Sequence, residues 1–256
     1  MDLIESIFKL KDNKTSFKKE ILAGLATFLT MAYIMVVNPA ILSETGMDFD
    51  SVFVATILAS FIACLLMGFL ANWPVALAPG MGLNAFFTYA VVFGMGFTWQ
   101  QALAAVLCSG ILFLIISISP LRAYLINAIP KSLKFGIGAG IGLFLAIIRL
   151  KNAGIVVDNP ATLVGLGDLK SAPVLLALLT LILMIGLDKL KVPGAIVLSI
   201  LATTIIGMIV GVAQFQGIVS PIPSMSPTFM QLDFSAMGSS LFLIVVFTIL
   251  FVDFFD

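Results

Sequence analysis

Long apolar runs separated by short polar loops make up most of this sequence. A helix needs about 20 apolar residues to cross the roughly 30 Å hydrocarbon core of a bilayer, and seven runs approach or reach that length. An eighth run is unfinished where the sequence ends. The runs cover residues 21–41, 51–70, 75–93, 99–118, 133–150, 172–187 and 192–212, followed by 237–256. The pattern predicts an all-α polytopic membrane protein with seven complete transmembrane segments and the start of an eighth.

Composition supports this prediction and excludes several kinds of site. Hydrophobic residues are 61% of the chain and charged residues 10%, against roughly 45–50% and 25% in soluble domains. Histidine is absent, which excludes histidine-based zinc, haem and Ser-His-Asp sites. Cys64 and Cys108 lie inside apolar runs, where a thiol behaves as a small hydrophobe. We therefore expect no metal and no cofactor. Because 13 basic residues balance 13 acidic ones, we also expect no nucleic-acid partner.

The distribution of lysine and arginine predicts the orientation in the bilayer. When loops are assigned alternately to the two sides, ten basic residues fall on one side and three on the other. Basic residues concentrate in short cytoplasmic loops, so the N-terminal tail, residues 1–20, is expected to be cytoplasmic. The ten are Lys9, Lys11, Lys14, Lys18, Lys19, Arg122, Lys131, Lys134, Lys189 and Lys191, and the three are Arg149, Lys151 and Lys170.

The third apolar run breaks the rules for a regular transmembrane helix. Pro74 and Pro79 each remove a backbone donor, Gly80 and Gly82 permit non-helical backbone, and Asn84 could cap a helix that begins there. Irregular backbone at membrane depth is tolerated only where it is covered by protein or lines a polar cavity. Broken helices of this kind surround the substrate sites of secondary transporters. The alternative is a proline-kinked helix whose asparagine bonds a neighbouring helix.

Two carboxylates end the eighth run. Asp253 and Asp256 lie three residues apart, which places them on one helical face. A carboxylate in hydrocarbon costs at least about 2.5 to 3.5 kcal/mol, so intramembrane acids usually belong to a substrate or ion site. The alternative is that both acids lie in water at a helix end. In the first segment, Thr27, Thr30 and Asn38 could also face a polar cavity, although threonine hydroxyls usually bond their own helix.

Three stretches of the sequence resemble signature motifs of one transporter family. They are residues 26–34, ATFLTMAYI, residues 78–87, APGMGLNAFF, and residues 251–256, FVDFFD. In this order they resemble the AzgA-like adenine, guanine and hypoxanthine permeases, a branch of the nucleobase-cation symporter-2 superfamily. The likeness extends from about Phe17 to the end of the sequence.

The resemblance implies fourteen transmembrane segments, arranged as two inverted repeats of seven that form a core domain and a gate domain. Residues 1–20 would then be the cytoplasmic tail, 21–130 the first half of the core, 131–236 the first half of the gate, and 237–256 a truncated eighth segment of the core. The core would move against the gate to give alternating access. The chain would therefore supply the first half of a transporter.

The resemblance also implies a substrate site between broken segments. It carries over Asn84 and Asp253 as substrate-binding residues, accompanied by Ala85, Phe86 and Thr30. Asp253 would also couple the proton, and Asp256 one turn further on would support it. A glutamate expected on the tenth segment has no counterpart in this sequence.

Substrate chemistry agrees with these residues. A purine edge carries both N–H donors and N or O acceptors, which a carboxylate and an amide can read together. The predicted function is proton-coupled import of purine nucleobases across the cell membrane, with sodium left open as the coupling ion and a homodimer suggested by the family. Two alternatives remain, namely a related transporter of inorganic or organic anions and an intramembrane enzyme that uses the two aspartates as an acid pair.

Overall fold

The structure, a computed structural model, describes residues 8–120, 124, 130–160, 162–215, 217 and 221–254. Helices account for most of these residues. The helices are α1 (Phe17–Met31), α2 (Ile34–Leu42), α3 (Phe49–Leu66), α4 (Met81–Ala85), α5 (Trp99–Ile118), α6 (Lys131–Asn152), α7 (Ala172–Lys189), α8 (Ala195–Ile209) and α9 (Ser240–Asp253). A 3₁₀ turn spans Ser43–Thr45, and π-helical turns span Met67–Ala71 and Phe86–Gly94.

Each predicted transmembrane run contains helix, and the chain is a multi-pass membrane protein. Four helical stretches are long and apolar enough to cross a bilayer, namely Phe17–Thr45, Phe49–Ala71, Trp99–Ile118 and Ala172–Lys189. Three shorter apolar helices accompany them among the described residues, namely Met81–Gly94, Ala195–Ile209 and Ser240–Asp253. The count of seven complete segments therefore remains a prediction.

A β-hairpin corrects the all-α prediction. Strands β1 (Val156–Asn159) and β2 (Leu163–Leu166) pair antiparallel, with Val156 opposite Leu166. The β-branched residues Val156 and Val157 favour extended backbone, but the run is too short to stand out between two long apolar helices. The fold is thus mostly helical with one small hairpin.

The chain divides into two compact units. The first comprises Met1–Val37, Thr56–Pro79 and Ile148–Ile222. Within it α7 packs along α8, and α8 also contacts α1. Gly194 precedes α8 with a φ of +74°, and a Cβ there would lie 3.2 Å from the Cβ of Leu29 in α1. Both the left-handed backbone and the close approach require glycine at this position.

The second unit comprises Asn38–Ala55, Gly80–Ile147 and Pro223–Asp256. Its core forms where α9 packs along α5. Small residues on α5 let the two helices lie close together, and large side chains of α9 fill the space between the helices. The buried core residues of the two helices are Ala102, Ala104 and Ala105 on α5 and Phe242, Val245, Val246 and Ile249 on α9. This packing holds α9, which ends at Asp253, against the rest of the unit.

Side-chain caps fix where the helices of this unit begin. Thr98 Oγ1 accepts a hydrogen bond from the Gln101 amide, and Gln101 Oε1 accepts one from the Thr98 amide, which together form a capping box for α5. Ser239 Oγ accepts a hydrogen bond from the Phe242 amide at 3.1 Å and caps α9. In the loop before α9, the Ser235 amide donates to Asp233 and holds the pKa of that carboxyl below its ordinary value. Both helices therefore have defined starts.

Candidate functional site

The third segment is broken, as its sequence predicts. Residues 72–80 have no helical structure, and helix begins only at α4, Met81–Ala85, which continues as a π-helix over Phe86–Gly94. Gly80 is the residue before α4 and has an extended conformation, with φ −69° and ψ 120°. The Asn84 amide donates to the Gly80 carbonyl at 3.2 Å. Asn84 therefore lies inside the helix, and the expectation that it caps the helix is wrong.

Cys64 stabilises the extended stretch of this segment. Its Sγ accepts a hydrogen bond from the Leu77 amide at 3.2 Å and donates one to the Leu77 carbonyl at 3.3 Å. Backbone polar groups at membrane depth must be paired, and one thiol on α3 pairs both groups of Leu77. Cys64 is therefore more than the small hydrophobe that its apolar neighbours indicate.

Three side-chain hydrogen bonds join the helical half of the third segment to residues 38–44, and we call this set the polar seam. Asn84 Nδ2 donates to Asn38 Oδ1, Thr88 Oγ1 donates to the Ile41 carbonyl at 3.2 Å, and Tyr89 Oη donates to Glu44 Oε1 at 2.9 Å. The seam is buried at one end, since Asn38 is 4% exposed and Thr88 0%.

The structure contains features of both interpretations of the third segment. The backbone is broken, as in the transporter interpretation, and Asn84 also bonds a neighbouring helix, as in the alternative. Among the described residues this bond to Asn38 is the one hydrogen bond of the Asn84 side chain. A second N–H and the Oδ1 of Asn84 therefore remain as groups that a ligand could engage.

Four of the predicted site residues lie in the second unit. Ala85 is fully buried, and Asn84, Phe86 and Asp253 are partly buried. Asp253 is the last residue of α9, and α9 contacts α4, the helix that contains Asn84. Asp256 lies outside the described residues. The structure thus brings the helices of Asn84 and Asp253 into contact within one unit.

Thr30 lies in the first unit, and its hydroxyl is occupied. Its Oγ1 donates to the Ala26 carbonyl at 2.9 Å, and Thr27 Oγ1 donates likewise to the Ala23 carbonyl at 2.9 Å. Both hydroxyls bond their own helix, the usual behaviour of threonine in apolar helices. Thr30 consequently has little donor capacity left for a substrate.

A cavity of about 510 Å³ lies in the first unit, between α1, α3 and the extended stretch. Its walls include the aromatic rings of Phe28, Phe61 and Trp73. Ser60, another wall residue, donates its hydroxyl to the Thr56 carbonyl at 2.8 Å. The walls therefore offer mainly flat apolar surface, and no lysine or arginine is among the described residues that line this cavity.

The described residues contain no group of three or more histidine, cysteine, aspartate or glutamate side chains that could hold a metal ion. Asn38 is the residue of the polar seam whose pairing the sequence does not show. It was distinguishable only as a polar residue beside Pro39 in an apolar run, and its partner Asn84 lies 46 positions further on. No local pattern in the sequence shows that pairing.

These features define a multi-pass membrane protein whose third segment is broken and whose helical half is joined to residues 38–44 by polar side chains. A family model described as the permease family, of the xanthine/uracil type, matches residues 18–256. The chain belongs to this permease family, a family of transporters rather than enzymes.

Curated relatives agree with this membership. A Methanocaldococcus jannaschii protein with the general name of permease is 50% identical over 100% of this chain and 59% of its own length. The guanine/hypoxanthine permease PbuO of Bacillus subtilis is 45% identical, over 98% of this chain and 59% of its own length. The adenine permease AdeP of Escherichia coli is 42% identical, over 99% of this chain and 57% of its own length. The chain thus spans less than two thirds of the length of these relatives.

Proposed function

We propose that the full-length protein imports purine nucleobases, namely hypoxanthine, guanine and adenine, by proton symport with alternating access. The observation that carries the proposal is the contact between α4, which contains Asn84 on a broken segment, and α9, which ends at Asp253. Permease relatives named for adenine and for guanine and hypoxanthine support this substrate class.

The chemistry of the two polar residues suits a neutral, flat heterocycle. Asp253 as a carboxylate accepts N–H groups, whereas the Asn84 amide both donates and accepts. Hydrogen bonds that involve a charged partner are about twice as strong as neutral ones. Asp253 would therefore provide most of the binding energy, and Asn84 would provide recognition of the purine edge. Ala85 and Phe86 would bound the site beside Asn84, with Thr30 retained as a weaker candidate.

The helix that contains Asn84 adds an electrostatic contribution. Met81–Gly94 forms a continuous helical stretch, and its N-terminal end carries a partial positive charge from unpaired backbone amides. Half-helices that direct this end towards a midplane site are a recurring feature of transporters. A bound base with carbonyl or ring-nitrogen acceptors would be stabilised there.

A protonatable acid would couple transport to the proton gradient. We infer that Asp253 takes up and releases the coupling proton, that Asp256 supports it, and that sodium is the alternative coupling ion. The protein would lie in the cell membrane with its N-terminus in the cytoplasm, as the ten-to-three distribution of basic residues favours. A homodimer is part of the same proposal.

The larger architecture is also proposed. Residues 21–130 and 237–256 would belong to a core domain that carries the substrate, and residues 131–236 to a gate domain against which the core moves. A second, inverted repeat would complete both domains, and its tenth segment would supply a further acid to the site.

Uptake in intact cells tests the proposal. Cells that produce the full-length protein should accumulate labelled hypoxanthine, guanine or adenine, and a protonophore should suppress the accumulation. A sodium-free buffer separates the two coupling ions, because only a sodium-coupled carrier would stop there. Robust surface expression without uptake of any of the three bases would overturn the assignment.

An anion carrier is the second candidate, since Arg149 is a basic residue near the end of a segment. Its Nη2 is buried and has no hydrogen-bond partner among the described residues. Among the described residues that line the cavity in the first unit, however, Glu20 is the one charged residue, and Arg149 is not a wall residue. Uptake of an organic acid that Arg149→Gln abolishes would favour this candidate over purine transport.

A further inference from the structure

Asn38 is not among the residues proposed to bind substrate, yet it bonds Asn84, the residue that is proposed to read the substrate. We propose that Asn38 is a positioning residue that fixes the orientation of the Asn84 amide and thereby determines whether the carrier prefers oxopurines or aminopurines. The inference rests on the proposed function and deepens it.

The geometry for positioning is present. Asn38 is 4% exposed and lies within α2 immediately before Pro39, whose ring restricts the local backbone. It also has a further interaction besides its bond to Asn84. Asn84 is only partly buried, and its side chain makes one hydrogen bond to the part of the chain that the structure describes. The more deeply buried amide, that of Asn38, is therefore the fixed partner, and the Asn84 amide is the group that is oriented.

An amide side chain can present its two ends in either order. Rotation by about 180° exchanges the oxygen and the nitrogen of Asn84, which have nearly the same shape but opposite hydrogen-bonding character. Only one order lets Nδ2 donate to Asn38 Oδ1, because the other would bring two oxygens together. Asn38 therefore determines which of the two positions at the end of the Asn84 side chain holds the nitrogen donor and which holds the oxygen acceptor.

The two purine classes differ in the same respect. Hypoxanthine and guanine present an oxygen acceptor at C6 beside an N1–H donor, whereas adenine presents an amino donor at C6 beside an N1 acceptor. In a given pose, a fixed amide complements only one of these edges. A freely rotating amide would complement both, since it could adopt either order.

The rest of the polar seam provides a matched control. Tyr89 lies on the same helical stretch as Asn84 and donates a hydrogen bond to the same 38–44 stretch, in this case to Glu44. Tyr89→Phe removes that bond without touching the amide pair. If the seam only braces two helices, then loss of either bond should have the same kind of effect.

The experiment measures the ratio of apparent KM values for adenine and hypoxanthine in cells that produce the full-length protein. We expect wild type to differ between the two bases by about tenfold or more, the discrimination given by roughly one hydrogen bond. Asn38→Leu, similar in size but without an acceptor, should bring the ratio to within about threefold of one. Asn38→Asp keeps an acceptor for Asn84 Nδ2 and should retain the wild-type preference, as should Tyr89→Phe.

Several outcomes would overturn the inference. One is an unchanged ratio in Asn38→Leu at normal surface abundance, and another is a wild-type carrier that does not distinguish the two bases. Equal loss of preference in Tyr89→Phe would show that the seam acts only as a brace. Should Asn38→Leu fail to reach the membrane, Asn38→Ser, whose hydroxyl is too short to reach Asn84, must give the same loss of preference. Absence of any purine uptake by wild type would instead remove the proposed function, so the two failures are distinguishable.

Discussion

The third and fourth apolar segments have similar composition but are built in opposite ways. The fourth is the single regular helix α5, Trp99–Ile118, whose capping box supplies partners at its first turn. The third has non-helical backbone over residues 72–80 and then a short α-helix and a π-helix up to Gly94. In the fourth segment the backbone pairs with itself, whereas in the third, side chains of other helices provide part of the pairing.

This difference shows where polar side chains are needed inside an apolar chain. The regular helix packs through small residues such as Ala102 and Ala105, and it would function with any residues of similar shape. The irregular segment depends on individual donors and acceptors, namely Cys64 for the extended half and Asn38 for the helical half. Unpaired backbone groups in hydrocarbon cost several kcal/mol each. Such a segment is tolerated only where it is buried in protein or lines a water-filled cavity.

The largest expected effect lies at the end of α9, which is a regular helix. It therefore tests most directly the contrast between regular and broken segments. Asp253→Asn should abolish uptake or lower it by about a hundredfold, because a charged partner worth about 3 kcal/mol is lost together with the protonatable group. Thr248→Val on the same helix should have little effect, since the Thr248 hydroxyl bonds the Ile244 carbonyl of its own helix. Initial uptake rates normalised to surface abundance provide the measurement. Equal activity of Asp253→Asn and wild type would mean that Asp253 is only a solvated helix end.

We expect Asp256→Asn to impair uptake as well.

An intermediate effect is expected in the broken segment itself. Asn84→Ala should weaken the apparent affinity for purine by about fivefold to a hundredfold, which corresponds to about 1 to 3 kcal/mol for a lost hydrogen bond and its unpaired partner. Ser109→Ala in the fourth segment is the control, because the buried Ser109 hydroxyl has no hydrogen-bond partner among the described residues. Affinity and surface abundance should be measured in parallel. A reduced amount of Asn84→Ala with unchanged affinity would remove Asn84 from the proposed site.

The smallest expected effect compares the two cysteines. Cys64→Ala leaves both polar groups of Leu77 without their partner and should lower the stability of the folded protein by about 1 to 3 kcal/mol. Cys108→Ala in the regular helix should cost less, since it removes only a small apolar group that packs against the core. Thermal unfolding of the purified full-length protein measures both. If the two substitutions lower the melting temperature equally, the thiol bonds to Leu77 contribute nothing.

Helix positions were predictable because apolar length and local capping determine them. The predicted run 99–118 coincides with α5, where Thr98 and Gln101 start the helix and the Ser119-Pro120 pair follows its end. The break in the third segment was also predictable, because proline and glycine act on their own backbone. The first segment was expected to be continuous over 21–41, yet it consists of two helices separated by a turn at Ala32 and Tyr33.

The pairing of side chains was not predictable from the sequence. Cys64 has no local feature that distinguishes it from Cys108, and only the fold places Leu77 beside it. Likewise, the Asn38–Asn84 bond joins two segments whose register depends on packing across the whole second unit. The proximity of the helices that contain Asn84 and Asp253 was expected only from the resemblance, and the substrate roles of both residues stay predictions.

The position along the sequence of the residues that bond the third segment has a consequence for biosynthesis. Asn72 donates to the carbonyl of Phe8, Leu77 bonds Cys64, and Asn84, Thr88 and Tyr89 donate to residues 38–44. All of these partners precede the third segment in the sequence. When the ribosome releases this segment, the groups that satisfy its irregular backbone and polar side chains have already been synthesised. These hydrogen bonds can therefore form as the broken segment emerges, whereas its apolar packing against α5 and α9 must wait until those helices have been translated.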